Sequence, residues 1–144
     1  MKLPLIMVLV FFSLISTAAE VKVLGVEKTK QLDLPFSEAV AVGDLLFISG
    51  QIGNKPGELK LVKGGVQAET RQAMNNIIEI VERYGSKVEK IAKCTIFLGD
   101  MNEWGEMNIA YLEALGEHRP ARSALGASGL ALGGSVEIEC IAAR

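Results

Sequence analysis

The sequence predicts a single α+β domain, in which a β-sheet carries two helices on one of its faces. Its 144 residues are 49% hydrophobic and 22% charged, which suits one globular domain with a full core. Short runs rich in β-branched and aromatic residues predict strands. Two longer segments repeat apolar residues every three or four positions, as amphipathic helices do. Because two helices cover only one face of a sheet, the opposite face needs another partner.

The first strands are predicted around one hairpin. Residues 21–26 form a first strand in this interpretation, and the polar residues 27–34 are expected to be irregular. Residues 39–51 predict a hairpin that turns at Gly43-Asp44. The hairpin closes on Ser49-Gly50-Gln51, where a glycine lets a backbone or a ligand approach closely.

The second half of the chain predicts two helices and a strand between them. The apolar spacing after Val66 indicates a helix that stops at Gly85, and residues 92–98 then form a strand. Asp100, with a glutamate three positions on, resembles a capping box for the second helix. One stripe of that helix is interpreted as core, and it consists of Trp104, Met107, Tyr111 and Leu115.

The end of the chain predicts an extended segment and a last strand. Arg119-Pro120 favours extended backbone, and residues 136–142 form the strand. Its even-numbered residues give one apolar face, whereas Glu137, Glu139 and Ile141 give a face that is part acidic. A mixed face of this kind suits an interface between subunits that contains a polar cleft.

Residues 1–19 have the layout of a secretory signal peptide. Lys2 precedes an uncharged apolar run over 3–15, and four small residues follow at 16–19. The run is shorter than the roughly 20 residues of a membrane span, although an uncleaved anchor is the alternative. We therefore predict cleavage after Ala19, a periplasmic protein, and a mature domain of residues 20–144.

Composition argues against several functional classes. A net charge of −2 with scattered basic residues disfavours binding to nucleic acid or to a membrane surface. Two cysteines, Cys94 and Cys140, are too few for a zinc site. Each lies among β-type residues, so we expect two buried thiols. Because the predicted compartment is oxidising, a disulfide between them is the alternative. His118 is the single histidine and is expected at the surface, so no metal site is predicted.

Arg122 and Glu137 carry the most chemistry. The planar guanidinium of Arg122 can bind a carboxylate through two parallel hydrogen bonds. Glu137 lies in a strand, where a half-buried carboxylate is costly unless it has a partner or a task, such as holding a water. Ser49 and Asn108 could add polar contacts. A structural ion pair between Arg122 and Glu137 explains the same pattern, so the residues alone indicate a domain able to bind a small carboxylate.

These residues, in this order, resemble the Rid family, also called YjgF, whose members include imine and enamine deaminases. The resemblance covers residues 35–144. Its landmarks are residues 48–51, Asn108 with Tyr111, residues 120–123 and residues 137–139.

The resemblance implies a chorismate-mutase-like domain with a mixed sheet, assembled as a homotrimer with clefts between subunits. It implies cofactor-free hydrolysis of 2-imino acids to 2-keto acids and ammonia, as in 2-iminobutanoate/2-iminopropanoate deaminases. Arg122 would hold the substrate carboxylate and Glu137 would position the water. Ser49, Gly50 and Asn108 would line the cleft.

Two cleft positions depart from the family pattern. Phe36 stands where deaminating members usually have a tyrosine, and Ala124 stands where many have a cysteine. The segment between His118 and Pro120 is also shortened. A non-catalytic module that binds a small carboxylate or a partner protein in the same cleft is therefore the alternative function. The acidic composition disfavours a ribonuclease.

Overall fold

The structure, a computed structural model, describes residues 18–144. Residues 1–17 hold most of the predicted signal peptide and lie outside the described residues, so the signal peptide stays a prediction. The elements follow one another as β1 (Val21–Leu24), α1 (Val26–Lys30), β2 (Ala39–Val42), β3 (Leu45–Ile52), α2 (Gly65–Arg83), β4 (Ile91–Leu98), α3 (Trp104–Leu115), β5 (Ala121–Gly126) and β6 (Val136–Ala143).

The six strands form one mixed sheet in the order β1-β2-β3-β6-β4-β5. Strands β4 and β5 run parallel, with α3 in the crossover between them, and the other neighbours are antiparallel. The β2–β3 hairpin turns at Gly43-Asp44 as predicted, and Gly43 adopts a left-handed φ of 55° there.

Helices α2 and α3 pack together on one face of the sheet, as the sequence predicts. Side chains along β6 point alternately to the two faces of the sheet. The even-numbered residues from Val136 to Ala142 are all buried, so they lie on the face that the helices cover. The apolar face of α2 completes the core with Ala73, Met74, Ile77, Ile80 and Val81.

The opposite face of the sheet has no helix over it among the described residues, and its strands leave apolar side chains exposed. Val21 and Val23 on β1 are 63% and 58% exposed, and Phe47 on β3 is 40% exposed. Exposed apolar surface of this extent is typical of a site of association. Within residues 18–144, no helix is both long and apolar enough to span a membrane.

One local prediction was wrong and another was incomplete. Residues 27–34 are not wholly irregular, because α1 begins directly after Gly25, whose left-handed φ of 73° reverses the chain. The segment after Pro120 is not merely extended but forms β5, the edge strand beside β4. The sequence showed the extended backbone there but held no signal for its pairing partner.

The expectation of two separate thiols was also wrong, because Cys94 and Cys140 form a disulfide. The antiparallel register places them directly opposite each other on β4 and β6, with Cα atoms 4.1 Å apart. Both side chains are buried. The sequence could not reveal this pairing, since the register of two strands 46 residues apart depends on the whole sheet.

We predict that reducing this disulfide lowers the free energy of unfolding by about 2–4 kcal/mol, because the reduced unfolded chain regains the entropy of a long closed loop. Urea unfolding with and without reductant measures the change. The double variant Cys94→Ala/Cys140→Ala is the control and should not respond to reductant. Two thiols titrating in denaturant without reductant would contradict the bridge.

Candidate functional site

Arg122 lies on β5 with its side chain under α3. Its register partner on β4 is Cys94, whose side chain is buried, so Arg122 points to the helix-covered face. Its Nη1 donates to Asn108 Oδ1 at 2.5 Å. The guanidinium lies 5.6 Å from the ring centroid of Trp104 and 5.2 Å from that of Tyr111. These contacts fix the position of the guanidinium and leave other N–H groups of its fork for a ligand.

The helix face that holds Arg122 follows from spacing in the sequence. Trp104, Asn108 and Tyr111 are four and three residues apart, so all three lie on one side of α3. The interpretation of Trp104 as core was wrong, because 43% of it is exposed, whereas Met107, Tyr111 and Leu115 are buried as expected. Burial raises the pKa of Tyr111, an effect that the positive charge of Arg122 opposes.

A cleft of about 290 Å³ opens beside Arg122. Two of its lining side chains, Arg119 and Arg122, are cationic and none is acidic; the lining consists of Asn108, Tyr111, Leu112, Arg119, Pro120 and Arg122. We call this site the arginine cleft. A cationic, partly aromatic cleft of this size suits a small anion.

Glu137 lies on β6, on the face without helices. Its register partners are Ile52 on β3 and Phe97 on β4, and its carboxyl group packs against Gly50, where a Cβ atom would overlap it. Burial raises the pKa of Glu137 above its usual range, and the nearby Glu139 raises it further. The carboxyl group therefore binds a proton at a higher pH than a free glutamate does.

A bulge in β3 forms the floor beside Glu137. The register with β6 shifts between Ile48 and Gln51, so Ser49 and Gly50 together face the single residue Glu139. The Ser49 hydroxyl donates to the carbonyl of Ser37 at 2.7 Å, and so it is not a free donor for a ligand. The Ser49 hydroxyl oxygen can still accept a hydrogen bond from a ligand. We call Ser49, Gly50 and Glu137 the glutamate patch.

Two buried or half-buried carboxylates fasten the segments around the glutamate patch. Glu38 accepts hydrogen bonds from Arg83 Nη1 and Tyr84 Oη, each at 2.6 Å, and its carbonyl accepts from the Ser49 amide. Burial, together with the Glu38 bond, raises the pKa of Tyr84 to about 12. Glu69 accepts from the Ser135 amide at 2.7 Å, which fixes the entry into β6.

The structure separates Arg122 from Glu137. Arg122 shares a face with Cys94, whereas Glu137 lies on the other face of the sheet, so the two cannot meet within one chain. The hypothesis of a structural ion pair between them is wrong for a single chain, and within residues 18–144 no carboxylate forms an ion pair with Arg122. The arginine cleft and the glutamate patch are therefore two separate sites on one chain.

The remaining predicted site residues lie beside the arginine cleft or beside the glutamate patch. Ala124 is half-buried on β5, pairs with Ile96 and packs on the core below Arg122. Phe36 is 49% exposed and immediately precedes Ser37, on the side of the glutamate patch. His118 is half-buried rather than at the surface, since its Nε2 bonds to the Ile91 carbonyl at 2.7 Å. In residues 18–144 no group of three or more His, Cys, Asp or Glu side chains is arranged to hold a metal ion.

Sequence reasoning missed Arg119 as a lining residue of the arginine cleft and Trp104 as a ring that contacts the Arg122 guanidinium. A usable signal existed for Trp104 in its spacing to Asn108. None existed for Arg119, because its inclusion depends on the path of the short segment after α3.

The fold and these two sites define a small α+β protein with a cationic cleft at the edge of its sheet. A family model described as "Endoribonuclease L-PSP" matches residues 29–144. A RutC family protein of Pyrococcus horikoshii is 42% identical over 108 residues, covering 75% of this chain and 86% of that protein. The chain therefore belongs to the Rid (YjgF) family, which this model represents.

Two further relatives show the same likeness at the level of sequence and of structure. The 2-iminobutanoate/2-iminopropanoate deaminase of Bos taurus is 37% identical over 123 residues, covering 85% of this chain and 90% of that protein. The crystal structure of the E. coli YjgF gene product matches with a TM-score of 0.72 and 35% identity, over 76% of this chain and 88% of that chain.

We predict that Gly50→Ala lowers the pKa of Glu137 toward that of a free glutamate. The new methyl group occupies the space of the carboxyl group and pushes it toward water, which reduces the desolvation that raises its pKa. Titration of the glutamate carboxyl carbons by NMR measures the effect. Gly129→Ala is the matched control, because a Cβ atom at Gly129 meets open space. An unchanged Glu137 pKa in Gly50→Ala would contradict this packing.

Proposed function

We propose that this protein hydrolyses reactive 2-imino or enamino acids to 2-keto acids and ammonia, in clefts formed between copies of the chain. The observation that carries this proposal is the separation of Arg122 and Glu137 onto opposite faces of one sheet. An anion-holding cleft and a proton-exchanging carboxyl group become a complete site when the arginine cleft of one copy meets the glutamate patch of the next. The deaminase names of relatives such as the bovine protein support the reaction class.

The assembly we propose is a homotrimer. The uncovered sheet face, with Val21, Val23 and Phe47 exposed, offers each copy apolar surface to bury. A head-to-tail contact between two different surfaces closes into a ring when the rotation allows it, and each contact then builds one identical site. A trimer would thus hold three clefts.

In the proposed reaction Arg122 binds the substrate carboxylate through the N–H groups that Asn108 does not use. Glu137, as its carboxylate, accepts a proton from water while the water oxygen bonds to C2 of the imine, and it passes that proton to the imine nitrogen as the C=N double bond becomes a single bond. Glu137 then accepts the hydroxyl proton of the resulting 2-amino-2-hydroxy acid and passes it to the nitrogen, so that the C–N bond breaks, the C2=O bond forms, ammonia leaves and the carboxylate is restored. No oxidant or cofactor enters this balance.

The catalytic demand on the protein is modest. Imines hydrolyse readily in water, so holding the substrate and placing one proton acceptor supply what the reaction needs. The raised pKa of Glu137 helps here, because a proton acceptor works best when its pKa lies near the operating pH. Phe36 and Ala124 add no hydroxyl or thiol. In this proposal Arg122 therefore binds the substrate carboxylate and Glu137 transfers the protons, without help from those two positions.

We propose further that the protein is exported to the periplasm. The predicted signal peptide over residues 1–19 supports this location. The Cys94–Cys140 disulfide supports it independently, since structural disulfides persist in oxidising compartments and are rare in the cytosol.

We predict that Arg122→Ala lowers kcat/KM for 2-iminopropanoate by about 100-fold, because the substrate carboxylate loses its charged partner. The measurement is pyruvate release from freshly generated imine, corrected for the spontaneous rate. Arg71→Ala is the control, since it removes an exposed arginine that pairs with Glu113 outside the arginine cleft. An unchanged kcat/KM for 2-iminopropanoate in Arg122→Ala would refute the proposed role of Arg122.

The same assay separates catalysis from the alternative of a binding module. A module that only binds carboxylates would be stabilised by 2-oxobutanoate, would lose that stabilisation in Arg122→Ala, and would show no turnover. The feature that favours this alternative is Phe36, which lacks the hydroxyl group that deaminating members usually have at this position. A protein that neither turns over imines nor binds keto acids would refute both.

We predict that mixing Arg122→Ala with Glu137→Gln restores activity that each variant alone lacks. If Arg122 and Glu137 come from different copies, random mixing gives an intact pair in about one quarter of the clefts. Co-refolding the two variants and assaying imine hydrolysis measures the recovery, with each variant refolded alone as the control. No recovery in mixed oligomers of normal size would place both residues in a site within one copy.

A further inference from the structure

The arginine cleft contains a second cation that the proposed reaction does not use. Arg119 lines the cleft together with Arg122, although the resemblance to known deaminases gives it no role. It enters the cleft through the short segment that joins α3 to β5. The segment reverses at Gly116, where φ is 60°, and the His118 amide then donates to the Leu115 carbonyl.

Hydrogen bonds to backbone carbonyl groups hold Arg119 in place, and these neutral groups do not compensate its positive charge. Its Nη1 donates to the carbonyls of Gly116 and His118, at 2.6 and 2.8 Å. Among the described residues no carboxylate forms an ion pair with it. These bonds orient the guanidinium through one nitrogen and leave its Nε and Nη2 hydrogens for a ligand.

The two guanidinium groups are placed for one small ligand. Arg119 and Arg122 are three residues apart, so their Cα atoms are separated by at most about 11 Å. The cleft volume of about 290 Å³ is at the lower end of ligand pockets, which excludes a nucleotide but fits a chain of four or five carbons. With two cations and no anion in its lining, the cleft favours a ligand with two negative charges.

We propose that this cleft prefers 2-imino acids that carry a second carboxylate in the side chain, the class of 2-iminosuccinate and 2-iminoglutarate. Arg122 binds the carboxylate next to the imine carbon, and Arg119 binds the carboxylate of the side chain. The inference rests on the proposed function, because it names the substrate class of the same site. The products are then dicarboxylic 2-keto acids and ammonia.

The size of the preference follows from the exposure of Arg119. Hydrogen bonds to charged groups contribute more than neutral ones, but Arg119 is exposed and its pairing with a carboxylate is partly screened by water. We therefore expect a preference of about tenfold over a substrate with an apolar side chain of similar length, and we expect added salt to reduce it.

Binding of stable keto acids tests the inference without turnover. Titration calorimetry on the assembled protein compares 2-oxoglutarate with 2-oxopentanoate, which has the same carbon chain without the second carboxylate. The wild-type protein should bind 2-oxoglutarate about tenfold more tightly. Arg119→Gln, which can still donate to the backbone carbonyls, should abolish this difference, and Arg119→Lys should restore part of it. Lys60→Ala removes an exposed cation from another loop and should leave the tenfold ratio intact.

Turnover distinguishes failure of this inference from failure of the proposed function. Imines generated from glutamate and from norvaline by amino-acid oxidases give kcat/KM values for the two side chains in each variant. Hydrolysis of both imines with equal kcat/KM, together with equal keto-acid affinities, would overturn the dicarboxylate preference and leave the deaminase function standing. No hydrolysis of either imine, with the tenfold binding preference and its loss in Arg119→Gln, would overturn the deaminase and leave the dicarboxylate site standing.

Discussion

The alternation of side chains along a β-strand is the constraint on which the chemistry of this chain depends. In β4, β5 and β6 the register aligns Arg122 with Cys94 and Cys140 on the helix-covered face, while it turns Glu137 to the other face. A shift of one residue in β5 would bring Arg122 out from under α3 and onto the face of Glu137. The disulfide joins β6, which carries Glu137, to β4, which pairs with the strand of Arg122, so it covalently links one of the two strand pairs on which this separation depends.

The arginine cleft shows how a buried cation can be kept without a counter-charge. Burying half of a guanidinium is costly unless polar or aromatic groups replace its water. Arg122 receives one neutral oxygen, from Asn108, and the faces of two rings, which attract a cation but do not neutralise it. A carboxylate in place of Asn108 would stabilise Arg122 more strongly and would compete with any anionic ligand. Asn108 and the two rings fix the position of the Arg122 guanidinium without neutralising the positive charge that attracts an anion.

Much of this architecture could be predicted from periodicity, and the failures have a common cause. The hairpin at Gly43-Asp44, the span of α2 and the buried face of β6 all depend on residues close in sequence, so the local pattern is sufficient to find them. The pairing of β5 with β4, the disulfide and the separation of Arg122 from Glu137 depend on how distant strands align. Sequence also predicted Arg122, Asn108 and Glu137 as site residues, but it could not show that the sheet places Arg122 and Glu137 on opposite faces. Trp104 was misassigned because a helix stripe predicts a face and not how far along that face the core extends.

In the proposed reaction, substrate binding and proton transfer depend on separate segments of the chain, and this separation bears on substrate choice. Glu137 and Gly50 lie on central strands. Near them Glu69 accepts a hydrogen bond from the Ser135 amide, and Glu38 accepts from the side chains of Arg83 and Tyr84. Arg119, in contrast, lies in the segment between α3 and the edge strand β5, held by hydrogen bonds to its own neighbours. A change of length or sequence in such a connection alters few packed contacts and costs little free energy of folding. In this proposal the substrate specificity of the cleft can therefore vary through this segment, while the sheet keeps Glu137 in a fixed position.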